Sequence, residues 1–183
     1  MLKFKLCLMF LCFYVFNVFA NIETSIGYKA SKIDDMNKTS SGLSLTIGKV
    51  YNFNEMFGAT TSLDFSFTGY KQTLAYQGQE LATYRFKRYQ YGVLQRFFYK
   101  APIKSFQLKP FLELGLGLDH AVVEFESMIG VKENDSKNLF YYKYGLGFQI
   151  LFTSGVGGEF VFGKNKNKDF DSNYTALSFI YTF

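Results

Sequence analysis

The sequence predicts an all-β protein, an eight-stranded antiparallel up-and-down transmembrane barrel. Three observations predict it. Apolar and polar residues alternate in eight separate runs, the period-two pattern of strands with one apolar face. The links between the runs are alternately compact and long, as when turns lie on one side of a membrane and loops on the other. The last run, Ser172 to Phe183, carries a stripe of Thr175, Leu177, Phe179, Tyr181 and Phe183 that continues to the final residue.

The runs are taken in order. The first sets Ile22, Thr24, Ile26, Tyr28 and Ala30 against Glu23, Ser25, Gly27, Lys29 and Ser31. The second sets Leu43, Leu45, Ile47 and Tyr51 against Ser44, Thr46 and Gly48. The third sets Ala59, Leu63, Phe65 and Phe67 against Thr60, Ser62, Asp64, Ser66 and Thr68. The fourth, about Tyr84 to Tyr99, sets Tyr89, Tyr91, Val93 and Phe97 against Arg88, Gln90, Gly92 and Arg96. Tyr84 and Phe86 break its phase, which predicts either a bulge or a strand end projecting beyond the lipid. The fifth is clean, with Leu112, Leu114, Leu116 and Leu118 against Glu113, Gly115, Gly117 and Asp119. The sixth sets Tyr142, Tyr144, Leu146, Phe148 and Ile150 against Lys143, Gly145, Gly147 and Gln149. The seventh sets Val156, Phe160 and Phe162 against Gly157, Glu159 and Gly163. The eighth is the terminal run. Compact links fall at 52–57, 100–106 and 153–155. Long polar loops are expected at 34–38, 71–81, 124–138 and 164–172.

The first residues have the three parts of a secretory signal peptide. Met1-Leu-Lys-Phe-Lys5 is basic, Leu6 to Phe19 is apolar, and Val18-Phe19-Ala20 suits cleavage before Asn21. Residues 1–20 are therefore expected to be a signal peptide and 21–183 one barrel domain. As a membrane helix the apolar run is short of the ~20 residues needed. A lipoprotein signal would place a small residue before Cys12, where Leu11 stands. Cleavage would remove Cys7 and Cys12, the sequence's two cysteines, and with them any disulfide or thiol chemistry. It would also remove Lys3 and Lys5. Lys and Arg then fall from 20 to 18 against 15 Asp and Glu, a net charge of +3 that argues for no nucleic-acid partner.

Alternation alone leaves open which face meets lipid, because a soluble eight-stranded barrel has the same count with its apolar face inward. The polar face here is built of Gly, Ser and Thr with a few charges, which suits a narrow packed interior rather than a water-facing exterior. Aromatics crowd the run ends, as interfacial belts do. Tyr51, Phe53, Phe57, Phe98, Tyr99 and Phe106 are expected on the turn side, and Tyr70, Tyr76, Tyr84, Phe125 and Phe140 on the loop side.

With alternation, links and terminal stripe together, residues 21–183 resemble the eight-stranded outer-membrane barrels of the OmpA transmembrane-domain and OmpX type. Leu177, Phe179, Tyr181 and Phe183 match the family's assembly signal. The resemblance implies export to the outer membrane, contact with its lipids, and recognition of the terminal strand by barrel-assembly machinery. It leaves function open, because the superfold hosts anchors, adhesins, pores and lipid-modifying enzymes.

Residue types narrow that choice. Lipid A-editing barrels use a His with a Ser and an acid, some with the Ser two positions after the His. The only histidine, His120, is followed by Ala121 and Val122. With no nucleophile placed beside a base, no catalytic residue is expected. One His and carboxylates scattered in loops predict no metal and no cofactor. Inward parity places Glu23, Lys29, Asp64, Arg88, Arg96, Glu113, Asp119, Lys143 and Glu159 in the lumen. Buried charges must pair, so an interior network is expected, with Asp64–Arg88 and Arg96–Glu113 as its adjacent-strand pairs. Such a network would plug the lumen. The expected role is a structural or surface-binding, adhesin-like barrel. Its loops, with exposed aromatics such as Tyr76 and Phe170, would meet a host or cell-surface ligand. The alternative is a small pore or hydrophobic-compound channel of the OmpW-like kind.

Overall fold

The computed structural model describes residues 21–33, 38–127, 129–169 and 171–183. The expected signal peptide, the loop at 34–37 and Phe170 lie outside the described residues. Among the described residues nine strands form: β1 (Ile22–Ile33), β2 (Lys38–Asn52), β3 (Phe57–Tyr76), β4 (Gln79–Tyr99), β5 (Ala101–Ile103), β6 (Phe106–Ser127), β7 (Lys132–Phe152), β8 (Val156–Asn167) and β9 (Asp171–Thr182). The short β5 continues β4. Both pair with β6 in one register, Phe98 opposite Phe111 and Ala101 opposite Leu108. Pairing lapses between them beside Pro110, which has no N–H for the ladder. The barrel wall therefore has eight strands, each antiparallel to its neighbours. It closes where β9 pairs with β1, from Thr182 opposite Glu23 to Ser172 opposite Ile33.

Closure leaves one face outside, and it is the apolar one. Leu112, Leu114, Leu116 and Leu118 are 43–55% exposed, while Glu113 and Asp119 on the alternate parity are buried. The same alternation runs around the ring, making a continuous lipid-facing band of Leu, Ile, Phe and Tyr. The lumen is too narrow for ordinary side chains on every strand, and glycine pairs make room. Gly92 lies opposite Gly117, and a Cβ on either would sit 2.9 Å from the Tyr141 side chain. Gly145 lies opposite Gly163, and a Cβ there would sit 2.7 or 2.8 Å from the Tyr174 hydroxyl oxygen. Each pair is a slot for one inward tyrosine.

The outer end departs from the sequence expectation. Where long loops are expected at 71–81 and 124–138, residues 71–76, 79–81, 124–127 and 132–138 are strand. β3, β4, β6 and β7 run 20, 21, 22 and 21 residues, against 12 for β1, β8 and β9. Gln77 (φ 48°) and Gly78 (φ 83°) both take positive φ, the two-residue turn whose twist suits a hairpin. The second hairpin turns through Gly130 (φ 83°). The two hairpins also pair with each other up to Ala82 opposite Ser127. One side of the barrel thus rises as a four-stranded flange. Its roughly eight residues beyond the lipid band amount to about 25 Å of strand at ~3.3 Å per residue.

The phase break at Tyr84 and Phe86 is not a bulge beside Arg88. β4 keeps one parity from Phe86 to Phe98, and the irregularity in its pairing lies at Leu74/Ala75. The side chains change character while the backbone does not. Inside the membrane the outer face meets lipid and is apolar. Above it the outer face meets water and is charged, so apolar residues move to the inner face. The expected loop-side belt is corrected for the same reason. Tyr70, Tyr84 and Phe125 face inward on the flange and Tyr76 sits at a hairpin tip, while Phe140 is on the lipid face with Phe67, Tyr89 and Tyr28. On the turn side, Phe98 is buried in the lumen rather than interfacial.

Leu114 lies near the middle of the band. Leu114→Arg should lower the stability of the barrel in bilayers by about 2–4 kcal/mol, the midplane cost of a cation on a barrel's lipid face. Thr73→Arg on the flange should change it little. Reversible denaturant unfolding in lipid vesicles would measure both.

Candidate functional site

The lumen residues come first. Glu23, Asp64, Arg88, Arg96, Glu113, Lys143 and Glu159 are each at most 5% exposed. Among the described residues, buried Glu23, Asp64, Glu113, Asp119 and Glu159 balance buried Lys29, Arg88, Arg96, Lys109 and Lys143, so this interior is neutral overall. They sort into three levels. In the lowest, Arg96 on β4 donates from Nε to Glu113 on β6 at 3.0 Å. It also reaches across the lumen to Glu159 on β8, at 2.6 and 3.0 Å. Gln149 donates to Glu23 (2.9 Å) and Glu159 (3.0 Å), tying in β1. The Arg96 guanidinium also stacks over the Phe111 ring at 4.8 Å.

In the middle level Lys143 donates to Asp64 at 2.7 Å, and Tyr174 donates to Glu113. Lys29 donates to Ser66 (3.1 Å) and Gln90 (2.9 Å), with its ammonium 5.2 Å from the Tyr174 ring. In the upper level Arg88 donates to Asp119 from Nε at 2.7 Å and again from its terminal nitrogen, and to Ser172 at 2.9 Å. Gln90 and Asn167 donate to the same carboxylate.

Arg96–Glu113 is therefore a pair, and Asp64–Arg88 is not. Thr68, not Asp64, stands opposite Arg88, four residues nearer the outer end, and Asp64 stands opposite Gly92. Arg88 takes Asp119 instead, and Asp64 takes Lys143 from across the lumen. Sequence reasoning also missed Gln149, Gln90 and Tyr174 as members, although their polar-face parity was available as a signal. The terminal residues Leu177, Phe179, Tyr181 and Phe183 face outward, 65%, 58%, 39% and 67% exposed. The Tyr181 and Phe183 rings meet edge-on at 4.5 Å, and the Phe183 N–H donates to the Ile22 carbonyl.

Above the charges the lumen is capped by Ile33, Phe86 and Ala121, with Tyr70 packed against them. The flange rises from this cap, and its register fixes which residues share a face. One row of the inner face is Tyr70, Phe86, Val123 and Asp135. The next is Gln72, Tyr84, Phe125 and Glu133. Rings meet along both rows, Tyr70 stacked on Phe86 at 5.4 Å and Tyr84 tilted against Phe125 at 4.9 Å. The outer face carries Lys71, Arg85, Lys87, Glu124, Glu126 and Lys132. Lys87–Glu124 (2.5 Å) and Lys132–Glu126 (3.0 Å) pair there. A cleft of about 750 Å³ opens on the inner face between Tyr84, Val123, Phe125, Glu133 and Asp135. His120 sits on the lipid side with its Nδ1 2.7 Å from the Asn138 Oδ1 and its ring 6.0 Å from that of Tyr89. Among the described residues no group of three or more His, Asp or Glu is placed to hold a metal.

No family model matches the sequence, and no curated protein matches it. Solved structures do. The chain is similar to Ail, the attachment invasion locus protein of Yersinia pestis, at 22% identity over 89% of this chain and 98% of that one, with a TM-score of 0.59. It is similar to neisserial surface protein A at 20% identity over 89% and 96%, with a TM-score of 0.55. The fold is that of a small eight-stranded outer-membrane barrel. Identities this low carry the architecture of the barrel and not the chemistry of its outer end.

Removing Arg88 would strand Asp119 at 0% exposure. Arg88→Ala should cost about 3–5 kcal/mol, and replacing both partners by apolar residues (Arg88→Met with Asp119→Leu) should recover much of it. Urea unfolding followed by gel mobility without boiling would give the three values. A single variant as stable as wild type would exclude the pair as a structural element.

Proposed function

We propose that the protein is exported to the outer membrane and acts there as a surface-attachment barrel, its flange meeting a partner outside the cell. The observation that carries this reading is the flange itself. Two hairpins are extended well beyond the lipid band, paired to each other, and given an inner apolar face that the barrel's own closure does not need. Neighbouring folds fit: one solved relative is named for attachment and invasion and was crystallised with a heparin analogue, sucrose octasulfate. The terminal stripe, Leu177 to Phe183, supplies the signal for barrel-assembly machinery, and the apolar band supplies the contact with membrane lipid.

Channel and enzyme readings have less support. A lumen filled by the Arg96 and Arg88 networks and capped by Ile33 and Phe86 offers no open path. His120 has an amide and a phenol ring beside it rather than a nucleophile to activate. Little or no steady conductance is expected in planar bilayers. Large stable single-channel currents would replace attachment by transport.

Two further outcomes are expected. Deleting Phe183 should sharply reduce the amount of folded barrel in outer membranes, read as the fraction migrating as a compact band without boiling. In a non-adherent bacterial host, the wild-type protein should raise attachment to cultured cells or extracellular matrix at least tenfold. Joining Gly69 to Lys87 and Val122 to Ser136 through two-residue turns, which trims both hairpins, should abolish that gain. Equal attachment by trimmed and full-length barrels would exclude the flange.

A further inference from the structure

We infer that the inner face of the flange is a docking site for a cationic amphipathic segment of a partner polypeptide, which deepens the attachment reading and rests on it. The face has the two components such a segment needs. Tyr84, Val123 and Phe125 form one contiguous apolar surface above the buried Phe86, fixed by cross-strand register rather than by loop conformation. Val123 remains 38% and Tyr84 37% exposed, so the surface is not used up by the barrel. A water-facing apolar surface on the outer end of a secreted protein is costly to keep and marks an interaction site.

Charge decides the occupant. Asp135 ends the Tyr70–Phe86–Val123 row and Glu133 ends the Gln72–Tyr84–Phe125 row. Both point to the aromatic side, two residues apart on one strand, so about 7 Å separates them. Neither makes a salt bridge among the described residues, and Lys137 on the same face acts on Asp135 only at longer range. The other acids of the flange differ: Glu124 and Glu126 on the outer face are paired to Lys87 and Lys132. Asp169, at the lower edge of the inner face, is paired to Lys137 at 3.0 Å. Apart from Glu80 at the tip of the first hairpin, the acids left over are the two that flank the apolar surface. They line one cleft with Tyr84, Val123 and Phe125. An anionic ligand would meet two carboxylates there, and a purely apolar one would leave Glu133 and Asp135 beside it with only Lys137 near, whose ammonium is already held by Asp169. A segment carrying Lys or Arg among apolar residues satisfies both components.

The test uses the full mature barrel in nanodiscs of phosphatidylcholine, with empty discs as reference. Two fluorescein-labelled 14-residue peptides are compared, one built of Leu and Lys and one of Leu and Glu, with binding read by anisotropy. The Lys peptide should bind above the empty-disc level and the Glu peptide should not. Glu133→Gln with Asp135→Asn, both exposed positions, should weaken binding at least fivefold. Tyr84→Ser with Phe125→Ser should do the same. Glu124→Gln with Glu126→Gln, on the opposite face, should stay within twofold of wild type. Binding no stronger than to empty discs overturns the site. So does equal binding of the Glu peptide, or equal weakening by variants of the two faces. Concentration-dependent dimers that the Tyr84/Phe125 variant abolishes would assign the face to a second copy instead. Attachment that is lost on trimming the hairpins but kept by the inner-face variants overturns this inference alone. Peptide binding that follows the inner-face variants, with no cell attachment by the intact barrel, supports the site and removes the attachment reading.

Discussion

Everything in this structure follows from the absence of water in the membrane core. A backbone N–H or C=O that faces lipid has no partner except another strand of the same chain. The ladder must therefore close, and it does so along the whole of β1 against β9, from Glu23 to Ile33. With eight strands, closure leaves a narrow interior. The narrowness explains the glycine pairs, Gly92 with Gly117 and Gly145 with Gly163, and the tyrosines seated on them. It also explains why the interior charges have no water to fall back on and are bound to one another at distances of about 2.6–3.0 Å.

The same constraint ends at the membrane surface, and the strands do not. β3, β4, β6 and β7 continue into water, their pairing irregular only at Leu74/Ala75 near the first hairpin's tip. From that level up, the solvent on the outer face changes and the polarity of both faces inverts with it. Lys87 follows Tyr89 on the outside of β4, and Phe86 follows Arg88 on the inside. Ile33 marks the same inversion on β1, buried inward at a height where Lys32 faces out. The charged, paired outer face is what any strand in water carries. The aromatic inner face is surplus to the barrel, and that surplus sets the flange apart from the membrane segment below it.

Much of the architecture was legible because its cause is local. Alternation reports one face in lipid, and Leu112 to Leu118 report it without ambiguity. The Arg96–Glu113 pair was legible because both residues sit near one end of adjacent runs. The partner of Arg88 was not. It depends on register, and adjacency of the third and fourth runs alone put Asp64 beside it when the true offset is four residues. Contacts across the lumen, Arg96 to Glu159 and Lys143 to Asp64, join strands that are not neighbours, and no pairwise reading of runs reaches them. The flange was hidden for another reason. Polar outward residues such as Lys71, Arg85 and Glu124 are the composition of a loop. Only the inner-face aromatics, seen as a break of phase, betrayed a strand in a different solvent.

Register is also where the buried charges matter most. A slip of one residue would turn every apolar side chain into the lumen and is forbidden by the lipid. A slip of two keeps every side chain on its own face, and the lipid band, nearly uniform in Leu, Phe and Tyr, hardly distinguishes it. The interior does. Moving β4 by two residues against β6 would set Arg96 opposite Gly115 or Phe111 rather than Glu113. It would also shift Arg88 away from Asp119. Each stranded charge costs several kcal/mol in a dry interior. Apolar residues in the lumen could fill the same volume but would tolerate the slip. The ion pairs thus hold the one register in which Phe86, Val123 and Asp135 fall in a single row, and the shape of the outer surface is fixed from inside the membrane.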